Sequence, residues 1–198
     1  MEMIKQKILE WTKDRHGREK YVAIFERIRD IPFAVETDLF LLDEAPAFVL
    51  KRNKGFCVPK HYLLGLMFQE LKVPVRYHTY SFRWSDLNVE YPGKLKKLAK
   101  ELPMTYHLAC GVRIDKEWVL LDATWDVSLK NAGFPINENW DGMAEMKNAV
   151  ISIEEFIRET IPAQKELYRD KIKAYTFSEK VKLMKFSNGL NKWLDEIR

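Results

Sequence analysis

The first third of the chain carries apolar residues at helical spacing. Ile4, Ile8 and Trp11 lie three or four positions apart, which predicts a first helix. A second stripe begins at Tyr21, and its helix should end before Pro32 because residues that precede proline avoid the α region. A short third helix is expected from about 45 to 50, with a proline in its first turn.

The stretch from Gly55 to Leu71 predicts a helix with a cysteine at its start. Gly55 can adopt the backbone angles of a tight turn, and Pro59 fits the first helical turn, where a missing N–H costs nothing. One buried face is expected to consist of Leu63, Leu66, Met67 and Leu71. The unpaired N–H groups of a helix N-terminus favour a thiolate, so Cys57 is a candidate nucleophile.

Polar and apolar residues alternate in two later stretches, which predict a β-hairpin. The first strand is expected over Thr105–Ile114, the turn at Asp115–Lys116, and the returning strand over Glu117–Trp125. With a two-residue turn, His107 and Asp122 become diagonal neighbours on one face, within hydrogen-bonding reach. A register change of one residue would move Asp122 to the other face, so this pairing depends on the turn.

The remaining patterns complete an α+β architecture. An extended segment is expected after the cysteine helix over 73–84, followed by a lysine-rich helix near 94–102. Two helices should finish the chain, one over 152–169 with an interruption at Pro162 and one over 178–197 that docks on the domain's own core. We therefore expect helices packed on a small antiparallel sheet, with additional C-terminal helices.

Composition narrows the class of protein. The 33 basic residues are spread among 29 acidic ones, which is a weak signal for nucleic acid. The two cysteines do not make a disulfide framework, and no stretch approaches the roughly 20 apolar residues of a membrane span. These features predict a soluble cytoplasmic protein with no nucleic-acid or membrane partner and no cofactor.

Four short segments, taken in order, resemble the transglutaminase-like superfamily. They are Gly55-Phe-Cys57, Leu71-Lys-Val-Pro-Val-Arg76, His107-Leu-Ala-Cys-Gly-Val and Trp118-Val-Leu-Leu-Asp-Ala-Thr124. The resemblance covers roughly residues 21–126 and implies a papain-like core. Residues 127–198 have no counterpart in it and are expected to form a C-terminal helical extension of a single domain, 1–198.

The resemblance also implies a chemistry. Members carry a Cys, His, Asp triad in this chain order, which matches Cys57, His107 and Asp122 here. The implied reaction is acyl transfer on a peptide or protein amide through a thioester, with hydrolysis by a peptidase or amidase expected rather than crosslinking. An oxyanion hole of the papain kind uses two hydrogen-bond donors. The Cys57 N–H can supply one of them. No glutamine precedes Cys57 in its loop to supply the other, so the second donor is unassigned.

Two other interpretations remain open at the level of sequence. The chain could be a catalytically inactive transglutaminase-like module that binds a peptide or protein partner, with Cys57 an ordinary buried thiol. Alternatively, a zinc site could be formed by Cys57, His61, His107 and Cys110. Against it, His107 and Cys110 are three positions apart on the predicted strand, so their side chains should face opposite sides. Outside these roles, we expect Cys110 in the core and both His61 and His78 at the surface or behind the site.

Overall fold

The computed structural model describes residues 1–198 as seven α-helices and four β-strands. The strands are β1 (Val75–Phe82), β2 (Thr105–Ile114), β3 (Glu117–Leu121) and β4 (Glu154–Arg158). The helices are α1 (Glu2–Trp11), α2 (Glu19–Arg29), α3 (Ala45–Arg52), α4 (Cys57–Glu70), α5 (Gly93–Glu101), α6 (Ile161–Lys173) and α7 (Phe177–Ile197). The expected α+β class is confirmed: helices pack on one small antiparallel sheet.

The sheet has the strand order β3-β2-β1-β4, and every neighbouring pair is antiparallel. Ile114 pairs with Glu117, so the predicted two-residue turn is correct. Asp115 and Lys116 both have positive φ, at 47° and 76°, which matches the twist that a two-residue hairpin needs.

Strand β3 ends at Leu121, four residues before the predicted end at Trp125. The backbone N–H of Ala123 donates to the ring of His61, and the N–H of Thr124 donates to the side chain of Asp122. These side-chain contacts take the place of strand pairing. The chain therefore leaves the sheet directly before Asp122, one of the candidate site residues.

Helix α4 is the central helix of the fold, and the prediction of a single buried face was wrong. Eleven of its residues are buried, because α1, α2 and α3 pack on it in addition to the sheet. At Gly65 a Cβ atom would lie 2.5 Å from the Tyr77 hydroxyl, so only glycine lets the helix approach β1 this closely.

The glycine before the cysteine has a different role from the predicted one. Gly55 does not have the positive φ of a tight turn; it forms a parallel bridge with Phe33. A Cβ atom there would lie 2.9 Å from a methyl carbon of Val49. Close packing against α3 explains the glycine, and the bridge fixes the chain just before Cys57.

The prediction for residues 152–169 was also wrong. Residues 154–158 form strand β4 along the free edge of β1, and α6 begins only at Ile161. Thr160 caps that helix by accepting the N–H of Ala163, and Pro162 lies in its first turn, so the proline starts the helix instead of interrupting it. Residues 127–198 are therefore not purely helical.

The last helix docks as predicted, through Phe186, Leu190 and Leu194. A capping box between Thr176 and Glu179 defines its start. Met184, on the same helix, is 51% exposed. Buried residues from both ends of the chain join the same hydrophobic core, and no helix is both long and apolar enough to cross a membrane.

Candidate active site

Cys57 is the first residue of α4, as the sequence predicted. Phe56 precedes it in an extended conformation, so the chain turns from strand-like to helical at the cysteine. The first N–H groups of a helix have no partner within the helix, so the Cys57 N–H is available to a bound substrate. The residue is 9% exposed and contributes to the wall of a cavity.

His107 on β2 is held by Asp122. Its Nε2 donates a hydrogen bond to Asp122 Oδ2 at 2.8 Å, and both side chains are buried. Burial by itself would lower the pKa of His107. The charge and hydrogen bond of Asp122 outweigh burial, contact with Cys57 adds to them, and the pKa rises to about 10. The other ring nitrogen, Nδ1, is not hydrogen-bonded to Asp122 or to any backbone group.

Asp122 accepts a full set of hydrogen bonds. Besides His107, Oδ2 accepts the N–H of Ala149 at 2.8 Å, and Oδ1 accepts the N–H and hydroxyl of Thr124 at 3.1 and 2.6 Å. Burial would raise the pKa of this carboxyl, but the charge of His107 and these donors hold it well below its usual range. The group is a fixed carboxylate, and its contact with Ala149 comes from a loop that no sequence pattern connects with the site.

His61 connects the cysteine to the end of β3. Its Nδ1 donates to the carbonyl of Cys57 at 2.8 Å, and its Nε2 accepts the N–H of Ala123 at 2.9 Å. The two bonds define one neutral tautomer. Burial lowers the pKa of His61 to about 4, despite Asp122 Oδ1 at 3.7 Å. The histidine is fully buried behind the site, so the surface alternative was wrong.

Lys60 is a second connection that sequence reasoning missed. Its ammonium donates to the carbonyls of Arg29, Ile31 and Thr124, each at 2.9 Å, and the side chain is fully buried. Burial lowers the pKa of Lys60 to about 7. The residue joins the end of α2 and the loop after it to the segment that follows Asp122.

The structure does not bring the nominal zinc set together. No three His, Cys, Asp or Glu side chains are arranged to hold a metal ion. Both ring nitrogens of His61 are engaged by backbone groups, and Cys110 donates its thiol proton to the His61 carbonyl at 3.1 Å. Cys110 is fully buried, as expected for a core residue.

His78, the other histidine expected at the surface or behind the site, is also buried, at 5% exposure. It accepts a hydrogen bond from Arg76 at 2.8 Å and donates one to Glu155 at 2.6 Å. Burial lowers its pKa. This cluster joins β1 to β4, and Cys57, His107 and Asp122 make no hydrogen bond to it.

Cys57 and His107 help to line a cavity of about 650 Å³. Its walls come from the 33–42 segment, from β2 and from helices α6 and α7. Seventeen of its 24 lining residues are hydrophobic, so the space beside the thiol is mainly apolar. The C-terminal helices thus contribute to the site, a role that the sequence did not indicate.

A scan against protein-family models and a search of curated proteins each found no match. Among solved structures, a candidate cysteine protease from Cytophaga hutchinsonii is similar, with a TM-score of 0.47 and 16% identity over 78% of this chain. A transglutaminase is similar with a TM-score of 0.44 and 17% identity over 62% of this chain. The chain spans 42% and 31% of the lengths of those two proteins. Its chemistry therefore has to follow from its own residues.

Proposed function

We propose that this protein is a cysteine-dependent acyl-transfer enzyme that acts on amides, with hydrolysis as the normal outcome. The observation that carries the proposal is the placement of His107. Asp122 binds one of its ring nitrogens at 2.8 Å, and the side chain of Cys57, at the start of α4, interacts with the same ring. A nucleophile, a base and a group that orients the base are the three parts that covalent catalysis needs.

In this mechanism Cys57 and His107 act as a thiolate and an imidazolium. The pKa of His107, about 10, keeps its ring protonated at neutral pH. The thiolate attacks the amide carbonyl, and the oxyanion forms where the Cys57 N–H can donate to it. His107 then gives its proton to the leaving amine, which leaves a thioester on Cys57.

The second half of the reaction uses the same groups in reverse. His107, now neutral, takes a proton from water as the water attacks the thioester, and the acid is released with the thiolate restored. Asp122 stays ionised throughout and holds the ring of His107 in one orientation. His61 and Lys60 act as positioning residues, since they tie the Cys57 turn and the chain after Asp122 to the same framework.

The first test is the pH dependence of alkylation by iodoacetamide, followed separately at each cysteine. If Cys57 is paired with His107 as proposed, it should react below the pH range in which a free thiol ionises. We expect Cys110 to stay protected, because it is buried and burial raises its pKa. Replacing His107 (His107→Ala) should abolish the fast reaction at low pH and leave Cys110 unchanged. Cys110 thus serves as a control within the same molecule.

Protection of Cys57 until the protein unfolds would contradict the proposal. So would a rate that rises with pH like that of a free thiol in both the native protein and the His107→Ala variant. Either result would favour the inactive binding module, for which Cys57→Ala should leave the affinity for a peptide or protein ligand unchanged.

The choice between hydrolysis and crosslinking needs a substrate that is turned over. We expect the acid to be the main product in water, with an added primary amine capturing only a small share of the thioester. A product made mainly of the new amide at millimolar amine would contradict the hydrolytic assignment and would make the enzyme a transamidase. Cys57→Ala is the control for uncatalysed aminolysis.

A further inference from the structure

We propose that the cavity beside Cys57 binds a long apolar acyl chain, so that the substrate is an amide of a hydrocarbon-chain acid. This inference rests on the proposed function and adds the class of its substrate. Cys57 and His107 both line the cavity, and its volume of about 650 Å³ falls in the usual range for sites that bind small organic molecules.

The polar groups of the cavity wall are mostly occupied. Tyr168 and Tyr175 donate their hydroxyls to the carbonyls of Tyr106 and Met104, at 2.9 and 2.6 Å. The hydroxyl of Thr105 donates to a carbonyl on β1, at 3.2 Å. A peptide in this space would bury its own amide groups without partners, which is costly. A hydrocarbon chain has no such groups, so the wall favours it.

Apart from Cys57 and His107, the charged side chains of the wall are exposed residues at its margin. Asp38 accepts hydrogen bonds from Arg52 at 3.1 Å, so its carboxylate already has a cationic partner. Lys180 lies on the exposed first turns of α7. Between these positions the lining is aromatic and aliphatic: Phe40, Phe56, Trp84, Trp125 and Leu183 contribute to it. The interior therefore offers apolar contact and little else.

The acyl group is a better occupant than the leaving amine. The amine departs from the side where His107 delivers the proton, and by microscopic reversibility water must approach the thioester from that side. A path used by water and by an amine has to remain wet. The apolar cavity suits the part of the substrate that remains bound to sulfur through both steps.

One experiment measures kcat/KM for 4-nitrophenyl esters from acetate to decanoate, in which the leaving group is constant. We expect kcat/KM to rise roughly fourfold for each added methylene until the cavity is full. A second series keeps the acetyl group and lengthens an alkyl chain on the nitrophenol. A flat first series, or a rise confined to the second, would overturn the acyl assignment.

A wall variant tests whether this cavity is the site. Met184 lines the cavity and is 51% exposed, so Met184→Glu should fold while placing a carboxylate in the wall. The ratio of octanoate to acetate turnover should fall at least tenfold. Lys185→Gln changes the net charge by the same amount on a neighbouring exposed position outside the cavity, and its ratio should match that of the unmodified protein.

Binding without chemistry separates the two proposals. Calorimetry on the Cys57→Ala protein should detect N-octanoyl glycinamide and not N-acetyl glycinamide. If the octanoyl amide binds while no ester or amide is turned over by the unmodified protein, the catalytic proposal fails and the cavity assignment stands. If short esters are turned over through Cys57 but the octanoyl amide does not bind, the cavity assignment fails and the catalytic proposal stands.

Discussion

His61 and His107 are both buried beside Asp122, with ring centres 6.0 Å apart, and their pKa values are shifted in opposite directions. His107 donates directly to the carboxylate, and its pKa rises to about 10. The ring of His61 lies between a backbone carbonyl and a backbone N–H, and its pKa falls to about 4. Proximity to a negative charge is therefore not enough to charge a buried imidazole.

The difference comes from which group meets each nitrogen. Protonation of His61 would place a hydrogen on Nε2, where the N–H of Ala123 already donates, so one stabilising bond would become a repulsive contact. Protonation of His107 strengthens its bond to Asp122. His107 is therefore suited to transfer protons, whereas His61 is suited to hold two backbone segments in a fixed position.

The largest expected effect comes from Asp122→Asn, which removes the negative charge that raises the pKa of His107. Without the carboxylate, burial dominates at His107 and its pKa should fall, so the imidazolium is lost at neutral pH. We expect kcat/KM to drop by roughly 10²- to 10⁴-fold. The measurements are kcat/KM between pH 5 and 9 and an NMR titration of the His107 ring.

The matched control is Asp126→Asn. Asp126 is another buried carboxylate of the same segment, and it accepts bonds from the Phe33 N–H and from Arg198 at 2.8 and 3.1 Å. The Asp126→Asn variant should be less stable than the unmodified protein, whereas the pKa of His107 should not change. If both substitutions moved the pKa of His107 equally, general charge and not the direct bond would explain its value.

The next effect is on stability and concerns His61. Its folded pKa, about 4, lies below the ordinary histidine value of 6.5, so between these two pH values the unfolded chain binds more protons. The free energy of unfolding therefore falls as the pH drops through this window, by roughly 3 kcal/mol over its full width. Lys60 and His107 titrate mainly at higher pH, with pKa values of about 7 and 10. His78, whose pKa burial also lowers, and the carboxylates share this window with His61, so a His61 variant is needed to isolate its part.

We expect His61→Leu to remove this contribution. At pH 7 the variant should lose about 1–3 kcal/mol, because the N–H of Ala123 is left buried without a partner. Near pH 4.5 the difference from the unmodified protein should shrink towards zero. Urea unfolding from pH 4.5 to 7 measures both, and His16→Gln, at an exposed histidine, should leave the curve unchanged. An equal loss at every pH would show that His61 titrates normally.

Much of the site's framework could be predicted from the sequence because it depends on local order. Alternation along β2 and a two-residue turn define the register, and the register puts His107 and Asp122 together. Gly55 and Pro59 bracket the start of α4 at Cys57. The structure brings His107 and Asp122 together as expected. The catalytic roles of Cys57, His107 and Asp122 remain a prediction.

Other features depend on residues distant in the sequence, which local patterns do not reveal. Strand β4 has no clear period of its own and exists because β1 has a free edge to pair with. The contact of Ala149 with Asp122 and the cavity wall from α6 and α7 are long-range in the same way. The sequence predicts His61 only as a surface group, a residue behind the site or a metal ligand, because its spacing from Cys57 does not show which backbone groups its ring meets.

The smallest expected effect comes from Cys110→Ala, which weakens the surroundings of His61 without touching His107. The Cys110 thiol donates to the carbonyl of His61 at 3.1 Å, and that carbonyl belongs to the backbone of α4. Losing the sulfur should cost about 1 kcal/mol of stability from the buried contact. Because the rings of both histidines keep their partners, kcat/KM and its pH profile should remain as they are. A shifted pH profile would mean that the core side of α4 also tunes the charged pair, and the two histidines could then not be treated as independent.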